Sequence, residues 1–498
     1  MTRTAVTCHP AIPIGVVEPM IFGGFLEHMG RCVYEGVYEP ASRHADEHGC
    51  RRDVLDALGD LGFTVMRYPG GNFASGYHWR DGVGPIEARP TVRELAWQSI
   101  EPNYFGTHEF LGLCDRMGWE PMMAVNLGTG TPEEARDWVE YCNAPVGTRE
   151  ADRRAGNGRV EPWDVGLWCL GNEMDGPWQL GHVPARDYAI RAQQTAKLIK
   201  DVDPRIRTVA CGSSSPEMPT FGAWDYEVLD HLGRAADFVS LHRYVDDNAN
   251  DLPRFLASGV SIDRQIESID AVCRAVQAKH RTRHRAYLCF DEWNVWYKNM
   301  EMNGAGQHAP HLIEEVYDLA DALVVAQFLL SFVRHCDVVK IANLAQVVNV
   351  IAPVLTRGDD LLVQSIHHAI RMIADRRTGT ALRCAVDGPA DALGRTTRAH
   401  QVDAAAILDV DALHLFAVNR SPDLDAPIEW NVPGHALGSV RSAEILTGAG
   451  PRTANTWEAP DVIRAETWSG VSVGDSTARF ALPPLSFAAI SLSVPNAA

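Results

Sequence analysis

Between residues 20 and 346 the chain alternates eight short apolar, β-rich runs with stretches of helical periodicity. That alternation is the mark of repeated β/α units, and eight units close most economically into a barrel. The runs are IFGGFLEH (21–28), TVMRYPGG (64–71), EPMMAVNLG (120–128), DVGLWCLGNE (164–173), IRTVACGSS (206–214), ADFVSLHRY (236–244), RAYLCFDEWN (285–294) and VVKIANLAQ (338–346). Amphipathic segments at 184–201, 262–279 and 313–334 are long enough to cross back between parallel strands. The predicted fold is therefore an α/β (β/α)8 TIM barrel. Its carboxyl strand ends converge on one mouth, where such barrels do their chemistry. Here those ends supply Glu27, Asn72, Asn126, Asn172, Glu173, His242, Tyr244, Glu292, Asn343 and Gln346.

Beyond a last helix at about 360–376 the pattern changes to AAAILDV, LHLFAVNR, RSAEILTG, ARFALP and FAAISLSV, alternating pieces that read as an additional C-terminal β-sandwich. The opening TRTAVTCHPAIPIGVV is extended in pattern and suits an added strand of that sandwich. The organisation predicted is a catalytic barrel over 18–380 and an accessory sandwich from 1–17 plus 381–498. Eleven cysteines, odd in number and never in C-x-x-C spacing, read as small reduced core residues. A formal charge of −19 disfavours nucleic acid, which needs clustered Lys and Arg. Neither a signal peptide nor a membrane span is legible, so a soluble cytoplasmic protein without membrane partners is expected.

Glu173 in WCLGNEMDG and Glu292 in FDEWNVW each end an apolar strand, about three β/α units apart, on strands four and seven. A lone glutamate at a strand end is usually a salt-bridge or capping residue; two facing each other across a barrel mouth suit acetal hydrolysis. That reaction needs one acid to protonate the leaving oxygen and one carboxylate to attack or stabilise the anomeric centre. A separation near 5 Å would give retention and a wider one inversion. Asn172 adds a neutral group suited to a sugar 2-hydroxyl, and Asp291 is either structural or part of the site.

With these residues in view, the chain resembles family 51 glycoside hydrolases, the intracellular exo-acting α-L-arabinofuranosidases. The resemblance spans nearly the whole length through FGGFLEHMGRCVYEG (22–36), MRYPGGNFASGYHWRDGVGP (66–85), NLGTG (126–130), EARDWVEYCN (134–143), WCLGNEMDG (168–176), SLHRY (240–244), DEWNVW (291–296) and NLAQVVNV (343–350). It implies a retaining mechanism with Glu173 as acid/base and Glu292 as nucleophile. It also implies that Glu27, Asn72, Asn172, Tyr244 and Gln346 hold the arabinofuranosyl ring, that Arg67 and His242 orient the pair, and that Trp97 and Trp296 wall the subsite. A jelly-roll-like accessory domain and a homohexamer belong to the same implication, with arabinofuranosyl oligosaccharides as the binding partners. The chain departs from the family at Pro102, where Thr is commoner, and NLGTGTPEEA lacks an arginine common there.

Other motifs carry less. His308 and His311 in QHAPH have metal-like spacing but no further ligands, GTGT at 128–131 lacks the lysine of a phosphate loop, and His367 and His368 lie on the last helix. No metal and no cofactor are expected. Two competing readings stand beside the main one: a β-xylosidase or endoglucanase of the same family, and a catalytically silent sugar-binding barrel.

Overall fold

The computed structural model describes residues 3–393 and 397–494. Eight parallel strands close into a barrel: Gly23–Phe25, Val65–Tyr68, Glu120–Ala124, Leu167–Leu170, Arg207–Cys211, Phe238–Val245, Tyr287–Val295 and Val339–Ala345. All eight coincide with the apolar runs read from the sequence, the sixth and seventh running one residue further, to Val245 and Val295. The fourth, LWCL, is buried along its whole length, as a parallel strand covered on both faces must be.

Helices Ala185–Val202, Ser258–His280 and Leu319–Arg334 form three of the return crossings. The last begins later than the 313–334 predicted. Asp318 caps it by accepting the Asp321 N–H at 3.1 Å, and Glu315 just upstream is spent on the backbone N–H groups of Tyr297, Lys298 and Asn299. Leu319–Arg334 is buried all round except at Arg334, which a helix apolar on every side requires. It packs between the barrel and the second domain. At its end Arg334 binds Asp263 of the neighbouring crossing helix at 3.1 Å and Asp403 of the sheet at 2.8 Å. Among the described residues, no helix is long and apolar enough to cross a membrane.

The second domain is a ten-stranded sheet. Its strand Thr4–Val16 runs antiparallel to Thr380–Asp387 and parallel to Ala426–Asn431, so both ends of the chain meet in it. The last two of those strands are additional to the pieces read from the sequence. Along Val402–Leu408 and Ala412–Asn419 alternate residues serve two cores: Ala405, Ile407, Phe416 and Val418 pack toward the barrel, while Ala404, Ala406, Leu415 and Ala417 join a core within the sheet domain. Residues 1–2, 394–396 and 495–498 of the expected sandwich lie outside the described residues. Ten of the cysteines are buried, Cys384 is half-buried, and all are unpaired.

Candidate active site

The site is assembled at the carboxyl ends of the strands. On the sixth strand His242 is in register with Glu292 of the seventh, and Tyr244 two residues on shares its face. Register slips between Cys289 and Glu292 on one side, and between Phe290 and Trp293 on the other, form a bulge. A bulge lets consecutive residues point the same way, and Asp291 and Glu292 both reach inward because of it. The fourth strand ends at Leu170, and the chain then turns through Asn172 to Glu173. Glu173 sits at φ +43°, a backbone state that a non-glycine residue keeps only when its surroundings enforce it.

Glu292 is 6 % exposed; it accepts from Arg67 Nη1 at 2.8 Å and Tyr244 Oη at 2.8 Å, and His242 Nδ1 stands 3.3 Å away as an ion-pair partner. Glu173 takes His242 Nδ1 at 2.9 Å and the Trp178 indole N–H at 2.6 Å. One carboxylate oxygen of Glu173 and one of Glu292 lie within 4.8 Å of each other, with a nitrogen of His242 equally close. Arg67, fully buried, also reaches Asn172 Oδ1 at 2.7 Å and Asp291 at 3.3 Å, with the Phe25 ring beneath its guanidinium at 4.6 Å.

Around the corner, Glu27 accepts from Gln346 Nε2 at 2.8 Å, the Phe73 N–H at 3.1 Å and Trp97 Nε1 at 3.2 Å. The Phe73 loop comes this close because Gly71 has no side chain: a Cβ there would stand 2.8 Å from a Glu27 oxygen. Asn172 Nδ2 meets Asn72 Oδ1 at 3.3 Å, and the Trp296 ring stands edge-on to Tyr244 at 5.6 Å. The structure thus gathers Glu27, Arg67, Asn72, Trp97, Asn172, Glu173, His242, Tyr244, Glu292, Trp296 and Gln346 into one hydrogen-bonded and packed set.

Burial and charge set the protonation. Burial raises Glu292; His242 and Arg67 only partly offset this, and Glu173 and Asp291 add to it. Burial alone would lower His242, but Glu292 and Asp291 hold it well above its ordinary value. Burial would likewise raise Asp291, yet Arg67 and His242 keep it below the usual carboxylate range. Glu27 is pushed up to about 8, by burial first and by Glu292 second. Glu173, His242 and Glu292 are also close enough to share a metal ion. A protonated imidazole has no lone pair to give one, however, and this arrangement favours that state.

The sequence profile described as "Alpha-L-arabinofuranosidase 1 domain" matches residues 57–251, and that of the "Alpha-L-arabinofuranosidase C-terminal domain" matches 291–486. An intracellular exo-α-(1→5)-L-arabinofuranosidase of Bacillus subtilis is 42% identical, over 96% of this chain and 97% of its own length. The chain belongs to glycoside hydrolase family 51. An exo-α-(1→6)-L-arabinofuranosidase of Bifidobacterium longum is 39% identical over 96% of this chain and 95% of its own. The solved structure of a family 51 α-L-arabinofuranosidase from Bifidobacterium longum superposes with a TM-score of 0.95 at 35% identity, covering 99% of this chain and 100% of that one.

This family 51 chain also holds site residues that the strand-end reading missed. Trp178, 52% exposed, folds back onto Glu173 through a turn in which Gly176 N–H bonds Glu173 O at 2.8 Å. A Cβ on Gly176 would stand 2.5 Å from the Trp178 ring, so only glycine permits the fold-back. The signal was the D-G-P-W run after Glu173. Gln179 and Ser75, 2.5 Å apart, stand behind Asn172, and Ser240 Oγ donates to Asp291 at 2.5 Å.

Several strand-end residues do other work. Asn126 Oδ1 accepts the N–H groups of Gly128, Thr129 and Gly130, so GTGT is a turn around an asparagine. Asn343 lies inside the barrel, fully buried, against Met122 Sδ at 3.3 Å. His308 packs on Tyr34, His311 pairs with Glu314 at 3.0 Å, and His367 bonds Ala57 O at 2.9 Å.

Proposed function

We propose that this chain hydrolyses terminal, non-reducing α-L-arabinofuranosyl units from arabinan- or arabinoxylan-derived oligosaccharides by double displacement, with Glu173 as acid/base and Glu292 as nucleophile. The observation that carries the reading is the approach of the two carboxylates to within 4.8 Å. Retaining pairs stand about 5–5.5 Å apart, whereas inverting pairs need roughly 6.5–9.5 Å to admit a water.

In the first step Glu292 attacks the anomeric carbon as its bond to the leaving oxygen breaks, and Glu173 gives that oxygen its proton. In the second, water attacks the same carbon, Glu173 takes the water's proton, and the ester to Glu292 is released. Arg67 and Tyr244 keep Glu292 aimed while its charge is consumed and returned. Glu27, Asn72, Asn172 and Gln346 offer the hydroxyl-binding groups, with Trp97 and Trp296 as walls. Residues 18–380 serve as the catalytic unit and 1–17 with 381–498 as the accessory domain.

Initial rates on an aryl α-L-arabinofuranoside, an aryl β-D-xyloside and β-glucan test the substrate. Turnover of the first far above the other two is the expected result. Activity confined to β-glucan would overturn the reading, and activity on none would favour a silent sugar-binding barrel.

A further inference from the structure

A segment of the sheet domain reaches the loops at the catalytic end of the barrel. Residues 447–465 leave the strand Val440–Leu446 and are pinned against the catalytic face by backbone bonds. The Leu319 N–H bonds Thr453 O at 2.9 Å and the Ala320 N–H bonds Pro451 O at 2.9 Å. Asn455 ties the segment together, giving Nδ2 to Val363 O at 3.0 Å and to Ile463 O at 2.9 Å while accepting the Ile463 N–H at 2.7 Å. The guanidinium of Arg357, on a hairpin of the barrel, lies over the Trp457 ring at 4.4 Å.

From this segment Arg452 enters a knot of charge behind the sugar site. It bonds Tyr297 Oη at 2.6 Å and Asp318 Oδ2 at 3.3 Å, both in the stretch after the seventh strand, and Asp247 in the loop after the sixth. Asp247, Asp318 and Asp321 are buried, and the other cation among them is Lys298, which bonds Asp318 at 3.1 Å and also Asp321. Without Arg452, Asp247 would lose its ion-pair partner and Lys298 would be left to Asp318 and Asp321, and a buried charge left uncompensated is costly. The two loops bridged are those that continue from Tyr244 and Trp296: Tyr297 follows Trp296 directly, and the Trp296 N–H bonds Val245 O at 3.0 Å.

We propose that Arg452 is a positioning residue of the sheet domain that sets the Trp296 wall of the sugar site, making that domain part of substrate binding. The proposal rests on the functional reading above. Because Arg452 bonds the residue after Trp296 and touches none of Glu173, Glu292 and Tyr244, its effect falls on binding.

The test is steady-state kinetics on an aryl α-L-arabinofuranoside with full-length Arg452→Met, Arg452→Lys, Trp296→Ala and Trp296→Ala/Arg452→Met, each beside its melting temperature. Arg452→Met should raise KM about tenfold while kcat changes by less than about threefold. Arg452→Lys keeps the charge without the fork and should recover to within about threefold of wild type. In the Trp296→Ala background Arg452→Met should add little, because both act on one wall.

A lowered melting temperature with unchanged KM would overturn the proposal, as would an Arg452→Met effect that adds in full to Trp296→Ala. If Arg452→Met does not fold, Asp247→Asn takes its place, with a smaller KM rise expected and no rise overturning the proposal. Inactivity of the wild type on this substrate would overturn the functional reading and this proposal with it. Normal wild-type activity with an unmoved KM in the variants would overturn the proposal alone.

Discussion

Glu173 and Glu292 face the same space but are held differently. Glu292 is 6% exposed and bound by Arg67, Tyr244 and His242, each mounted on a barrel strand. Glu173 stands on a turn, and besides His242 its partner is Trp178, a loop residue that is half exposed. The difference matches the two proposed roles. A nucleophile must keep one aim while its charge is consumed in the ester and then returned, which rigid donors provide. An acid/base must exchange its proton with leaving groups and water, which a place on a turn beside the half-exposed Trp178 allows.

The comparison breaks most sharply at Glu292. Glu292→Ala should lower kcat by at least about 10⁴-fold, since no other carboxylate can form the ester. Added azide should then give an azide product of inverted configuration, detectable by NMR; a retained product would count against a nucleophilic role. Glu173→Ala should cost roughly 10²–10⁴-fold on oligosaccharides but far less on aryl glycosides whose leaving group departs without protonation. Equal losses on both substrate types would remove the acid role.

Smaller changes sharpen the contrast. Tyr244→Phe deletes a bond to a buried carboxylate worth about 1.5–3 kcal/mol, so kcat should fall roughly 10–100-fold. Trp178→Phe deletes a more exposed one and should cost only about threefold. A larger loss for Trp178→Phe than for Tyr244→Phe would reverse the account of which carboxylate is held more firmly.

A further effect is on stability and not on rate. Glu27 is pushed up to about 8 by burial and by Glu292. The folded chain therefore keeps a proton that the unfolded chain releases between about 4.5 and 8, and stability falls as pH rises through that window. Glu27→Gln should flatten this fall by up to about 1.4 kcal/mol per pH unit, measured by denaturant unfolding across the window. An unchanged slope would show that Glu27 does not titrate there.

Most of the barrel was legible because buried parallel strands must be apolar runs, and a polar residue ending such a run stands out. The strands Thr380–Asp387 and Ala426–Asn431 were harder: each is partly exposed and carries Arg383 or Pro427 within it. Trp178 was missed because it follows a turn, outside any strand, and its contact with Glu173 depends on Gly176 having no side chain. Arg452 left no local signal at all, since its partners Asp247, Tyr297 and Asp318 are far away in sequence. Retention was open on the residues alone, because strand spacing gives opposition without distance.

Trapping the intermediate tests the central claim most directly. Glu173→Ala, given an aryl α-L-arabinofuranoside with a good leaving group, should form the glycosyl-enzyme faster than it is hydrolysed. Mass spectrometry of the quenched, digested protein should then find one pentosyl unit on the peptide carrying Glu292. An unmodified Glu292 peptide, with β-configured arabinose as the first product released by the wild type, would contradict double displacement.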